Sequence, residues 1–195
     1  SDTLTFITWN IGFSGLGEET DFFYDGGSTV IQTPELVQKN LRGITDFMAG
    51  QKDVDVFFLQ EVDSLARRSH YANHLDTFAN ALSDAEWAFA VNYRVNFVPV
   101  PLYNPMGKVI SGIANYSRLQ SEDYERHAYH TQFGWPTRIF FLDRCFLSQR
   151  IPLENGKELV AINTHCSAYD TAGTMVADEI RLLTEFAQLE YEKWN

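Results

Sequence analysis

The chain has 195 residues, 45% hydrophobic and 21% charged, which suits one folded domain and excludes a disordered or low-complexity segment. A formal net charge of −11 argues against a protein that grips long nucleic acid through a basic face. It leaves room for an enzyme that meets phosphates through a divalent cation, because the cation supplies the positive charge. Two cysteines exclude a disulfide framework and a Cys-rich metal centre, and no apolar run reaches the length of a membrane span.

Leu4 to Ile11 reads as a strand. No signal-peptide pattern precedes it. A removed leader would leave the same start, so the compartment stays open between cytoplasm and export. Gly12 to Thr33 is a long loop rich in Gly, Asp and Ser, the kind of loop that often carries function. Thr33-Pro34-Glu35 is a helix start, with Thr as N-cap and Pro at the first helical position. Leu36, Val37, Leu41, Ile44, Phe47 and Met48 continue it as an apolar stripe, and Gly50 closes it. Val54 to Leu59 is almost continuously apolar, as in a strand buried on both faces, and it ends at Gln60-Glu61.

Tyr71 to Leu82 reads as a second helix, with Leu75, Phe78, Ala79 and Leu82 inward. His70 and His74 are four apart there, but no Glu of an HExxH motif stands between them, so they read as surface residues. Strands follow at Trp87–Tyr93, Val109–Ser117, Arg138–Ser148 and Glu158–His165, with Ser121 to Pro136 as a polar, aromatic loop. Asn155-Gly156 suits a two-residue hairpin turn, in whose ideal register Cys145 stands opposite Cys166. Pro152 cannot donate to a ladder and disturbs that register, so two free, buried thiols are expected. Val176, Ile180, Leu183 and Ala187 mark a final helix. The order of elements indicates a single α/β layered domain over residues 1–195, with mixed sheets.

Three polar residues stand at expected strand ends. Asn10, in Thr8-Trp9-Asn10-Ile11-Gly12, reads either as a cap for the turn at Gly12 or as a rim ligand. Glu61 either marks where its strand meets water or presents a rigid carboxylate to metal or substrate. His165 reads as a satisfied core histidine or, sharing a strand face with Asn163, as part of a rim site. A lone carboxylate with an amide suits Mg²⁺, which prefers oxygen and keeps several waters. Zinc is poorly served, since no other His or Cys has ligand spacing.

Four segments, taken in order, resemble the endonuclease/exonuclease/phosphatase superfamily of metal-dependent phosphoesterases. They are Thr-Trp-Asn-Ile at 8–11, Leu-Gln-Glu-Val-Asp at 59–63, Ser-Gly-Ile-Ala-Asn-Tyr-Ser-Arg at 111–118 and Asn-Thr-His at 163–165. The resemblance implies a four-layer sandwich of two mixed β-sheets flanked by helices, with the site at one end. It implies that Glu61, with Asn10, binds a catalytic Mg²⁺ or Mn²⁺, that Asn10 orients phosphate or the metal shell, and that His165 hydrogen-bonds the phosphate. Asp25-Gly26-Gly27 and Asn92-Tyr93-Arg94-Val95-Asn96-Phe97-Val98-Pro99 look like a bacterial branch of the superfamily. On that reading Tyr93, Arg94 and Asn96 line the pocket, Arg67 and Arg68 meet the phosphate and Asn163 is a substrate contact; for the first five, as for Lys108, the alternative is a solvated loop.

The chain departs from the pattern near its end. The superfamily's Gly-Asp-x-Asn motif, whose Asp activates the attacking water, and its terminal Asp-His pair are both absent. The expectation is therefore a domain incomplete at its C-terminus, part of a longer polypeptide and inactive on its own. The expected partner is a phosphate ester: nucleic acid, phosphoinositide, phospholipid or a small phosphodiester, with long nucleic acid disfavoured by the charge. A non-catalytic binding module on the same fold is the alternative that the missing motif leaves open.

Overall fold

The computed structural model describes residues 3–23, 26–129, 143–167 and 174–193. Two sheets stack face to face. The first has strand order β1-β2-β4-β3, built from β1 (Phe6–Asn10), β2 (Val56–Ala66), β3 (Glu86–Val98) and β4 (Gly107–Ser117). Its β1 and β2 run parallel, while β4 is antiparallel to both of its neighbours. The second sheet has order β5-β6-β7, from β5 (Asp123–Ala128), β6 (Cys145–Pro152) and β7 (Glu158–Thr164), all antiparallel.

Helices α1 (Pro34–Gly50) and α2 (His74–Ala81) cover the outer face of the first sheet. Thr33 caps α1 by accepting the Leu36 N–H, and Asn73 caps α2 by accepting those of Leu75 and Asp76. Leu41, Ile44 and Met48 of α1 and Leu75 and Phe78 of α2 pack with Phe57, Leu59, Val62 and Tyr116 in one cluster. Phe78 is fully buried, so its truncation to alanine costs about 3–5 kcal/mol. Between the sheets, Ala90 and Ile113 meet Cys145 and Leu147, and Val56 meets Ile151 and Ala161. Helix α3 (Thr174–Glu192) covers the far face: Phe186 lies 4.5 Å from the ring of His127 and 5.0 Å from that of Phe146. The layers thus run helices, sheet, sheet, helix, which is the expected four-layer sandwich.

Local differences have physical causes. β2 does not end at Glu61 but continues to Ala66, because β4 pairs with it beyond the point where β1 stops. β5 falls inside the expected 121–136 loop; it is an edge strand whose side chains are mostly exposed, so no apolar alternation marks it. In the β6–β7 hairpin Pro152 pairs with Glu158 and Phe146 with Thr164, one residue out of two-residue register. Asn155 makes an Asx-type turn to the Lys157 N–H, and Gly156 takes φ +79°, giving a longer loop. Cys145 and Cys166 are consequently not partners; both are free, Cys145 buried and Cys166 half-buried. Most of the first half of the expected Arg138–Ser148 strand lies outside the described residues, as does Asp25. No described helix is long and apolar enough to cross a membrane.

Candidate phosphate-ester site

The site is organised by a bulge in β2. Leu59 pairs with Ala114 and Val62 with Gly112, so Gln60 and Glu61 together oppose the single residue Ile113. Glu61 takes φ +56°, a left-handed conformation that a β-bulge normally assigns to glycine. A non-glycine residue held there costs on the order of 1–3 kcal/mol and persists only where its surroundings over-determine it. Side chains from several elements supply that determination. Asn163 Nδ2 donates to the carbonyls of Leu59 and Ala114, each at 3.2 Å. Ser111 Oγ donates to the Val62 carbonyl at 3.2 Å, and His74 Nδ1 accepts the Asp63 N–H at 3.2 Å. The Gln60 carbonyl accepts the Ile11 N–H at 3.1 Å.

Gly112 belongs to the same construction. A Cβ there would lie 2.1 Å from the Ala90 carbonyl oxygen, so only glycine lets β3 and β4 approach beside the bulge.

The bulge brings Glu61 to Asn10 and His165. Asn10, the last residue of β1, donates from Nδ2 to Glu61 Oε1 at 2.9 Å, while its Oδ1 accepts the Gly12 N–H at 3.0 Å. His165 follows the last residue of β7, with Nε2 3.7 Å from the same Oε1. Burial pushes the His165 imidazole down to about 4, with the charges of Arg144 and Arg68 adding to the effect. At neutral pH it is uncharged, so its contact with Glu61 is a close approach and not an ion pair. Glu61 Oε2 has no hydrogen-bond partner among the described residues, and the side chain keeps 23% of its surface exposed.

Two arginines flank this centre. Arg68 is held bidentate by the fully buried Asp63, at 3.1 and 2.8 Å, with its guanidinium 3.9 Å above the Phe13 ring. Burial works against its charge, but Asp63 facing it, helped by Glu61 and Tyr93, holds its pKa above the ordinary range. Arg144, just before β6, donates from Nη1 to the His165 carbonyl at 2.8 Å and is only 7% exposed. Among the described residues no carboxylate lies within ion-pair distance of it, and its buried Nε has no partner. Burial pushes the Arg144 pKa down, against the pull of Glu179 and Glu61. Among the described residues, Nη1 of Arg68 and Nη2 of Arg144 have no hydrogen-bond partner.

The expected residues thus divide. Asn10, Glu61, His165 and Arg68 converge. Tyr93 stands opposite Ser111, whose Oγ receives Arg68, and lies close enough to stabilise that charge. Arg94 pairs with Ile110, one residue out of phase with Tyr93, and is exposed; strand alternation turns it to the other face. Asn96 is exposed where the β3 register slips, and it makes no hydrogen bond to the cluster. Neither lines the centre. Arg67 is spent on the 104–105 loop, bonding Asn104 and the Pro105 carbonyl, so it does not face a phosphate. Asn163, expected to touch substrate, is 2% exposed with both amide atoms engaged in the core. His74, expected at the surface, is fully buried as a brace of the bulge, while His70 is exposed as expected. Arg144 was legible only as a charge preceding the apolar run Cys145-Phe146-Leu147, a weak signal.

A cavity of about 530 Å³ opens on the α1 side of Asn10, lined by Trp9, Gly12, Lys39, Asn40 and Gly43 among others. It shares only Asn10 with the cluster and holds neither Glu61 nor His165.

The fold so assembled is that of the endonuclease/exonuclease/phosphatase proteins, as the four motifs imply. The chain is similar in structure to an endonuclease/exonuclease/phosphatase from Beutenbergia cavernae DSM 12333, with TM-score 0.57, 18% identity, and coverage of 90% of this chain and 41% of that one. A family protein from Leptotrichia buccalis C-1013-b gives TM-score 0.58 at 15% identity, covering 94% and 62%. ANGEL2, a 2′,3′-cyclic phosphatase, gives TM-score 0.55 at 14% identity, covering 91% and 44%. The chain therefore spans between about two fifths and three fifths of these neighbours' length. No protein-family model matches the sequence, and no curated protein does.

Proposed function

We propose that the Glu61 cluster is the phosphate-ester site of a phosphoesterase dependent on Mg²⁺ or Mn²⁺. The observation that carries this reading is the strained Glu61 backbone, which turns one carboxylate toward Asn10 and His165 between two guanidinium groups. The donor set fits a hard cation. Glu61 offers an Oε2 with no hydrogen-bond partner among the described residues, and Asn10 Oδ1 keeps a second lone pair beyond the one given to Gly12. Among the described residues there is no group of three His, Cys, Asp or Glu, so a cation held here retains several waters, as Mg²⁺ does. When bound, such a cation supplies positive charge that offsets the charge developing on the phosphoryl oxygens.

The chain's own residues do the rest. Asn10 holds the Glu61 carboxylate in one orientation through Nδ2. Neutral His165 has one N–H to donate to a phosphoryl oxygen, and its charged form, once an anion is bound beside it, strengthens that bond. Nη1 of Arg68 and Nη2 of Arg144, which have no hydrogen-bond partner among the described residues, supply charge-assisted hydrogen bonds to the remaining oxygens. Phe13 and Asp63 keep Arg68 rigid, so little reorganisation accompanies binding. The resemblance assigns deprotonation of the attacking water to an Asp in a Gly-Asp-x-Asn segment, which this sequence does not contain.

The test is hydrolysis of bis-p-nitrophenyl phosphate by the polypeptide that carries this chain in full, with Mg²⁺, with EDTA, and as Glu61→Ala. Turnover lost with both EDTA and the substitution is the expected result. Turnover that survives Glu61→Ala overturns the site assignment. A 2′,3′-cyclic phosphate, the group named for ANGEL2, belongs in the same panel.

A further inference from the structure

A line of buried amides crosses the sandwich and ends at the bulge. Ser121 Oγ accepts from Gln149 Nε2 at 2.7 Å, and Gln149 Oε1 accepts from Asn115 Nδ2 at 3.1 Å. Asn115 Oδ1 accepts from Asn163 Nδ2 at 3.0 Å, and Asn163 Oδ1 accepts from Gln60 Nε2 at 2.7 Å. Gln60 Nε2 also reaches Thr8 Oγ1 at 3.3 Å and the Phe58 carbonyl at 3.2 Å. Asn115 and Gln149 are fully buried, Asn163 is 2% exposed and Gln60 7%.

Asn163 is the member of this line that touches the bulge on both sides. From β7, in the opposite sheet, its Nδ2 spans the two carbonyls of Leu59 and Ala114, the last regular pair before the register breaks. Its Oδ1 fixes the side chain of Gln60, the residue immediately before Glu61. Leu59 and Ala114 are fully buried, so losing the amide removes a side-chain donor from both carbonyls and releases the segment that the strain of Glu61 depends on. Asn163 also lies two residues before His165 on the same strand face, so one strand end both braces Glu61 and delivers the imidazole beside it.

We infer that Asn163 is the positioning residue of the site: its amide, inserted from the opposite sheet, holds the bulge that turns Glu61 toward Asn10 and His165. This rests on the proposed function only in making Glu61 a cation ligand.

Two readouts on the 195-residue chain test it. The first is the backbone ¹³C and ¹⁵N shifts of Glu61 in metal-free protein, which report positive φ. The second is Mn²⁺ affinity by electron paramagnetic resonance, with Glu61→Gln as reference. Asn163→Asp replaces the donor by an acceptor facing two carbonyls. It is compared with Gln149→Leu, which removes an equally buried amide two links away. Asn163→Asp is expected to abolish the positive-φ shifts and weaken Mn²⁺ at least tenfold. Gln149→Leu, compared at a temperature where it is folded, is expected to leave both unchanged. If Asn163→Asp does not fold, Asn163→Ser, which adds no charge, carries the same expectation. Wild-type shifts and affinity in the Asn163 variant, or the same losses in Gln149→Leu, overturn the inference. If Glu61→Gln binds Mn²⁺ as wild type does, the cation reading fails, and the Glu61 shifts still decide the role of Asn163.

Discussion

Asn10 reaches Glu61 and Gly12 with opposite ends of one amide: Nδ2 donates to Glu61 Oε1 at 2.9 Å, and Oδ1 accepts the Gly12 N–H at 3.0 Å. One residue therefore both caps the turn at Gly12 and contacts the Glu61 carboxylate. Asn10→Asp keeps the cap but sets a carboxylate against Glu61. We expect it to destabilise the cation-free chain by about 1–3 kcal/mol, with Mg²⁺ or Mn²⁺ restoring most of the loss. Thermal melts with and without cation check this. A melt that no divalent cation shifts would count against a cation between these two positions.

The two arginines differ in their partners, and so should their truncations. Arg68→Met strands the fully buried Asp63 carboxylate and is expected to cost roughly 3–5 kcal/mol in urea unfolding. Arg144→Met removes a buried charge that has no ion-pair partner among the described residues, so its cost is expected to stay near 1 kcal/mol, that of the lost His165 carbonyl bond. Inorganic phosphate should bind the Arg144→Met chain at least tenfold more weakly than wild type, measured by calorimetry with Mg²⁺ present. Equal phosphate affinity in the two would show that Arg144 serves the fold alone.

Stability should fall on mild acidification, and His74 gives the sign. Burial pushes its pKa down to about 4 from an ordinary 6.5. The unfolded chain therefore takes the proton first, and stability present above about pH 6.5 is lost as pH falls toward about 4. The full effect is on the order of 3 kcal/mol. Urea titrations between pH 7 and 4 should show a steeper loss for wild type than for His74→Gln. Parallel curves would contradict it.

Gly112→Ala tests the packing beside the bulge. The added methyl meets the Ala90 carbonyl 2.1 Å away, so β3 must separate from β4. A loss of about 1–3 kcal/mol is expected, with Mn²⁺ affinity reduced as the bulge relaxes. An unchanged melting temperature would mean that the strands have room the structure does not show.

The layers were legible because their residues obey simple periods: the α1 stripe and the apolar run into β2 both read directly. Of the site, Asn10, Glu61 and His165 were legible as polar residues at the margins of apolar strands. Their mutual geometry was not, because a bulge leaves no compositional mark when its left-handed residue is Glu and not Gly. β5 was hidden by polarity on an exposed edge. Asn163 and His74 were misplaced for one reason: polar side chains that satisfy backbone groups from another element look, in sequence, like surface or substrate contacts.

The most direct measurement is a Mn²⁺ titration of the 195-residue chain and its Glu61→Gln variant, followed by electron paramagnetic resonance. One cation site is expected in the wild type, competed by Mg²⁺ and lost in the variant. Equal binding by the two chains, or none by either, would contradict the assignment of Glu61 as the metal carboxylate.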